Sequence, residues 1–402
     1  MSHIKQVLST ISFLHRDGGK YESAELQNIV REILPDSRVA ACFRHRLGDS
    51  SVVVSTTNRG STRLGGLMVC DAGHICPICH ARKMTKEQQI VSHLVHDHYQ
   101  AAGVLVDAVL TVPHRVNEPL ATVLDRLDST WKSLRSSPIW KGLTRELGIV
   151  GCVRRLELTL GHHGWHPHLH VSFLCKLELA QEIKGRSWRT ALDDAFSIVS
   201  SHWRQAGKKT GLAISEEAQA AVAIIGHVDA QKAISYNTKN MGYCKKPSSL
   251  TPTDLLRIVA QVTDGAIVHA AKRLFAEYAT AIKGKHTLTF IGSAKASRNN
   301  AVKAVDAAYV EVVEEVLGTV SPEAWHAIVK TGLREALAVV KSRREVVAIM
   351  LRAALGAGHG RIPLGWMRLA LKAKTKTVIR SRLSITHTLL PSTALPGAAT
   401  GG

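Results

Sequence analysis

The order of segments along the chain predicts an α+β fold built around an antiparallel sheet. Three observations carry the prediction. Val104 to Val112 is an aliphatic, β-branched run that stops at Pro113. Val153 to Leu160 and His166 to Leu174 are two strand-length runs separated only by Gly161-His162-His163-Gly164, a hairpin by length and glycine content. Between and beyond them lie segments with helical periodicity, so the pattern runs βα, ββ, αβα, an arrangement suited to an antiparallel sheet with packed helices.

Composition sets the frame for these elements. The chain has 402 residues, 45% of them hydrophobic, enough for more than one core and too apolar for a disordered polymer. A formal charge of +20 calls for anionic company, and nucleic acid explains it better than lipid because no long basic amphipathic stretch dominates. The longest apolar run, Ala101 to Val112, is broken by Asp107 and falls short of the roughly 20 residues a bilayer span needs. Met1 to Lys20 mixes His3, Lys5, His15, Arg16 and Asp17 into its apolar residues, unlike a signal peptide, so a cytoplasmic protein with no membrane partner is expected.

The elements follow in order. A helix is expected around Glu22 to Leu34, ending at Pro35, and nothing catalytic stands in residues 1–41. Residues 42–100 turn to Cys, His, Arg and Gly and then to a helix from Ala81 to Tyr99, the composition of a small metal-knotted module. After the strand at Val104, a helix from Leu120 to Leu134 carries Leu120, Val123, Leu124, Leu127, Trp131 and Leu134 at close to a 3.6 period, a face made to pack on a sheet. Beyond the hairpin, Ser187 to His202 reads as a helix, Val222 to Val228 as a strand and Gln231 to Tyr243 as a helix. Thr251-Pro252-Thr253-Asp254 offers a helix cap, and Ala270 to Ile282 is again helical. A domain over residues 101–295 would be followed by a mostly helical region, 296–385, and a flexible tail, 386–402. No acidic residue follows Glu345 while eight Lys/Arg do, so this end is either an additional phosphate-binding arm or a solvated basic face.

Three constellations carry chemistry. Seven cysteines, an odd set with uneven spacing, suit a metal site in a reducing compartment better than a disulfide framework. Cys76-Pro77-Ile78-Cys79 is a zinc knuckle and Cys70 precedes it; a fourth ligand is required, with Cys42 the choice and His45, His74 and His80 its competitors. A structural Zn2+ is therefore expected. In Trp165-His166-Pro167-His168-Leu169-His170-Val171-Ser172-Phe173, a period of two sets the histidines and Ser172 on one face and apolar residues on the other. A hairpin centred between His162 and His163 places Glu157 opposite His168, so His168, His170 and Glu157 are the expected ligands of Mg2+, Mn2+ or Zn2+, with His166 an alternative. In the third, spacings of four, three and four align Lys232, Tyr236, Lys239 and Tyr243 on one helical face. A phenol near ~10 in pKa needs neighbouring positive charge to act as a nucleophile, which Lys239 would give Tyr236; Tyr243 with Lys246 is the fallback.

In these residues the sequence resembles the replication initiators of small rolling-circle plasmids in prokaryotes, members of the HUH endonuclease superfamily. The strand Val109-Leu-Thr-Val-Pro113-His114 is similar to the family's first motif, Glu157 through Val171 to its histidine motif and Ser235-Tyr236-Asn-Thr-Lys239 to its tyrosine motif. Cys70 to Lys83, Thr251 to Arg257, Leu274 to Tyr278 and Lys283 to Thr289 agree as well, and the likeness covers roughly residues 42–292. The resemblance implies an HUH-type nuclease domain that nicks and rejoins single-stranded or cruciform plasmid origin DNA with Mg2+ or Mn2+. Tyr236 would attack the scissile phosphate, His168 and His170 would hold the ion, and a host helicase and polymerase would do the rest. Some relatives carry a glutamate one helical turn before the tyrosine where Lys232 stands here. Two other functions fit parts of the pattern: a zinc-stabilised DNA-binding regulator without nicking activity, and a mobilisation relaxase, although no GxxxxGK[ST] phosphate loop is present.

Overall fold

The computed structural model describes residues 3–10, 14, 20–57, 60–116, 118–176, 188–215, 222–225, 249–308, 312–363, 366–368 and 377–378. Among them the chain is a mixed α+β structure with two antiparallel sheets. Strands are β1 (Val52–Thr57), β2 (Thr62–Gly65), β3 (Val104–Leu110), β4 (Ile149–Gly161), β5 (Gly164–Cys175), β6 (Val222–Ile225), β7 (Leu288–Gly292), β8 (Val312–Val320), β9 (Met367–Arg368) and β10 (Thr377–Val378).

The central sheet runs β6-β3-β5-β4-β7, every neighbour antiparallel. Its spine is the β4–β5 hairpin. Gly161 pairs with Gly164 across the two-residue turn, where Gly164 takes φ 94°, a conformation that glycine enters without a Cβ penalty. That turn fixes the register, and Glu157 lies opposite His168 as the sequence predicts.

Alternation along these strands makes two unlike faces. One presents Val106, Ala108, Leu110, Leu156, Leu158, Leu169, Val171 and Phe173 to the main core, where the helix Leu120–Arg135 buries Leu120, Val123, Leu124, Leu127, Trp131 and Leu134. The helices Pro138–Glu146 and Trp188–Lys209 complete that layer. The opposite face is apolar at one end only. Leu105, Val153 and Leu174 pack there under Val91, Leu94, Val95 and Tyr99 of the long helix Pro77–Gln100, with Ala294 of the helix Ser293–Ala308. Further along, the same face turns polar: Asp107, Arg155, Glu157, His168, His170 and Ser172.

Thr251 to Arg257 is a structural device. Thr251 and Asp254 form a capping box on the helix Pro252–Gln261, and Arg257 joins Asp254 at 2.9 Å and Glu22 at 2.6 Å, tying this helix to Lys20–Ile33.

The second sheet departs from expectation. Its order is β10-β8-β1-β2 with β9 also on β8. The mostly helical region expected after residue 296 does contribute helices, but β8 is a strand that pairs with β1, so chain from either side of the central sheet builds one sheet with its own core around Trp325, Ile328 and Met350. β8 begins Val312-Val313-Glu314-Glu315-Val316-Leu317, without the period-two alternation that marks a strand and with a composition that a helix also accepts, and only the distant β1 decides between them. No helix among the described residues is long and apolar enough to cross a membrane.

Candidate functional site

Four thiols meet beneath the N-terminus of the long helix. Cys76 stands at its N-cap, Pro77 opens it and Cys79 lies in its first turn, while Cys42 and Cys70 come from the loops that flank the second sheet. Cys42 Sγ is 3.6 Å from Cys79 Sγ and 3.8 Å from Cys76 Sγ, and Cys70 Sγ is 3.6 Å from Cys79 Sγ. A tetrahedral ion with bonds of about 2.3 Å to sulfur has edges of about 3.8 Å, so the donor set fits zinc in size and in kind. All four are buried.

The surroundings favour sulfur as an acceptor. The backbone N–H of Cys70 donates to Cys42 Sγ and that of Ala72 to Cys70 Sγ, each at 3.4 Å, and Gln27 Nε2 donates to Cys76 Sγ at 3.4 Å. Hydrogen bonds within the cluster pull the Cys42 thiol down and push Cys76 and Cys79 up, because adjacent buried sulfurs cannot all ionise without a cation among them. Phe43 and Asp71, each just after a cysteine of the cluster, have φ of 53° and 51°, a conformation costing about 1–2 kcal/mol per residue that turns the chain back toward the sulfurs. Of the histidine competitors, His80 Nδ1 bonds Gly73 O at 2.8 Å and His74 Nε2 lies 3.2 Å from Lys83 Nζ. Burial, followed by the charge of Lys83, lowers His74 to about 4, which keeps it a neutral acceptor.

The second cluster lies on the polar end of the sheet face. Glu157 Oε2 accepts from His168 Nε2 at 2.8 Å and from His170 Nε2, so one carboxylate oxygen faces two imidazoles. Two ligands about 2.1 Å from an ion and at right angles lie about 3 Å apart, so these three side chains could hold a divalent cation. Burial raises the Glu157 carboxyl, but hydrogen bonds and charge from His168 and His170 outweigh it and hold the group well below the usual carboxylate range. His168 and Glu157 keep 12% and 15% of their side-chain surface, leaving one side of the cluster open.

His166 stands next in line, its ring centroid 5.3 Å from that of His168, and His114 follows at 4.9 Å from His166. His114 was not among the expected site residues; its signal was its place directly after Pro113 at the end of the β3 segment. Arg155 was missed as well. It is 1% exposed, pairs with Glu87 Oε2 at 2.9 Å and sits opposite His170 in the register, which ties the long helix and its cysteines to the histidine strand. A third missed group, Asp107, is bonded by the Ser172 hydroxyl; burial pushes its carboxyl up to about 7. Asp107 inside an otherwise apolar strand, and the Arg154-Arg155 pair inside a largely apolar one, are the available signs.

Tyr236, Lys239, Tyr243, Lys232 and Lys246, with the helix expected over Gln231 to Tyr243, lie outside the described residues. The flanking chain is anchored on both sides. β6 pairs with β3, and Leu250 exchanges backbone hydrogen bonds of 2.8 and 2.9 Å with Leu160, near the hairpin tip.

Comparison with known proteins gives two similarities. The chain is 27% identical over 152 residues to a Streptomyces lividans protein named "Protein rep", covering 31% of this chain and 33% of that one. It is 23% identical over 192 residues to a Streptomyces cyanogenus protein named "Neomycin resistance protein", covering 40% of this chain and 44% of that one. The matched stretches thus span less than half the length of either relative. No family model matches the chain. No solved structure matches it either.

Proposed function

We propose that the chain is a plasmid replication initiator of the HUH type that nicks and rejoins single-stranded origin DNA, its endonuclease domain lying within residues 101–295. The observation that carries this reading is the convergence of Glu157, His168 and His170 on the open, polar end of a face whose other end is sealed by the knuckle helix. Similarity to a protein named "Protein rep" supports it independently.

In this reading Glu157, His168 and His170 hold Mg2+ or Mn2+, and Cys42, Cys70, Cys76 and Cys79 hold a structural Zn2+. Held by the first set, such an ion would supply Lewis-acid polarisation of a non-bridging oxygen of the scissile phosphate. Tyr236 Oη forms a bond to phosphorus, the bond from phosphorus to the 3′ oxygen breaks, and the leaving strand keeps a free 3′ hydroxyl to prime synthesis. Lys239 favours the ionised phenol and offsets phosphate charge. The phosphotyrosine ester retains the energy of the broken bond, so the reverse attack rejoins the strand. Tyr236 lies in sequence between β6 and Leu250, both anchored on the sheet that carries the histidines, which supports a meeting of the two groups.

The test is incubation of the protein with single-stranded DNA from its plasmid's origin and Mn2+, resolved on a denaturing gel. A covalent protein–DNA adduct that vanishes in Tyr236→Phe is expected. DNA that shifts on a native gel but is never cleaved would instead mark a binding regulator.

A further inference from the structure

A basic groove lies between the long helix Pro77–Gln100 and the helix Ser293–Ala308. Arg82, Lys83, Lys86 and Arg298 line it, against the two carboxylates of Asp71 and Glu87. Glu87 is engaged by the buried Arg155 at 2.9 Å and by Lys83 at 3.7 Å. Lys86 Nζ pairs with the exposed Asp306 Oδ1 at 2.9 Å, a solvent-screened pair that a phosphate can displace, so Arg82 and Arg298 supply the groove's excess of positive charge. The guanidinium carbons of Arg82 and Arg298 each sit 5.7 Å from an aromatic centroid, Phe43 and Phe290, a cation–π contact that orients their N–H edges before any ligand arrives.

Two connections join the groove to the histidine strand. Glu87 reaches Arg155, which pairs in register with His170. Lys83 Nζ donates to Thr287 Oγ1 at 3.3 Å, and Thr287 O accepts the Leu156 N–H at 2.8 Å, one residue before Glu157. Both links end within two residues of Glu157. Four cations on two helix faces, linked by these contacts to a cluster that would take one phosphate, match the chemistry of a run of phosphates.

We infer that this groove binds the phosphodiester backbone of DNA flanking the scissile phosphate, with Arg298 and, in exchange for its exposed partner Asp306, Lys86 as direct phosphate contacts. The inference rests on the proposed nicking function for the meaning of "flanking", yet its test needs no cleavage. Full-length protein without added Mg2+ or Mn2+ is titrated into a fluorescein-labelled mixed-sequence single strand of about 30 nucleotides, and separately into a hairpin of the same composition, at several salt concentrations. The variant is Lys86→Gln with Arg298→Gln. Its control is Arg344→Gln with Arg352→Gln, an equal loss of charge at two exposed positions around the helix Arg343–Gly356.

The groove variant is expected to weaken binding about tenfold near 100 mM salt and to flatten the slope of log affinity against log salt by about 1 to 1.5, the signature of two lost phosphate contacts. Loss on the single strand, on the hairpin or on both supports the groove and says which form occupies it. An equal loss in the control pair, or no loss on either DNA, overturns the inference. Should the double variant unfold, as read by circular dichroism, Arg298→Gln alone carries the same expectation at half the slope change. A protein that binds through the groove but never forms the covalent adduct would sink the nicking reading and leave the groove intact.

Discussion

The cysteine cluster and the histidine cluster are both sets of potential metal ligands, and they differ in every property that decides what a metal does. Four sulfurs, all buried and at edge lengths of 3.6 to 3.8 Å, close a tetrahedron with no position left over. Two imidazoles and one carboxylate, of which His168 and Glu157 keep some contact with solvent, supply three ligands and would leave the remaining positions of a bound ion to water or substrate. A closed all-sulfur set holds chain together, whereas an open nitrogen and oxygen set does chemistry. Arg155 and Glu87 join the two through a single helix, the contact by which, in the proposed reading, the sulfur cluster would position the histidine strand.

The largest expected effect breaks the closed cluster. Cys79→Ser should abolish stoichiometric zinc, read by native mass spectrometry, and collapse cooperative melting, because structural zinc contributes on the order of 10 kcal/mol to folding. His170→Ala should do the reverse: retain zinc and a cooperative melt while cutting adduct formation about a thousandfold. If His170→Ala lost zinc, or Cys79→Ser kept both fold and zinc, the division of labour would be wrong.

A smaller effect tests the link. Glu87→Gln leaves the Arg155 guanidinium, 1% exposed, without its carboxylate at 2.9 Å, and should cost about 3 kcal/mol in denaturant melts while zinc content stays whole. A change under about 0.5 kcal/mol would show that the helix transmits nothing through this pair.

The smallest effect sharpens where the chemical end of the sheet face begins. Asp107 ordinarily ionises near 3.8, but burial lifts it to about 7 in the fold, and its Oδ2 has no hydrogen-bond partner among the described residues. The folded state therefore binds the extra proton between those values, so the group's destabilisation grows as pH rises from about 4 to about 7 and is complete above. Asp107→Asn should stabilise the protein by about 2 kcal/mol at pH 8 and by almost nothing at pH 4. A gain independent of pH would contradict the buried carboxylate.

Local patterns were legible and distant pairings were not. The hairpin register follows from a two-residue turn and strict alternation, which is why Glu157 could be set opposite His168 from sequence alone. The face of Leu120–Arg135 follows from its period, and all six apolar positions are buried. Cys42 lies far from the knuckle in sequence and competes there with His45, His74 and His80, and only the fold, which brings its sulfur to the other three, decides between them. β8 escaped because its partner β1 is remote and its valines and glutamates are ambiguous. Arg155 and Glu87 escaped for a related reason: an arginine in a strand announces a partner without saying which helix supplies it.

The most direct measurement separates the two centres in one sample. Brief EDTA treatment, followed by native mass spectrometry and an adduct assay on single-stranded origin DNA, should leave one zinc per chain and a folded protein that forms no adduct until Mn2+ is restored. Adduct formation that survives EDTA, or that disappears only in step with the zinc, would contradict an open histidine–glutamate centre as the seat of the chemistry.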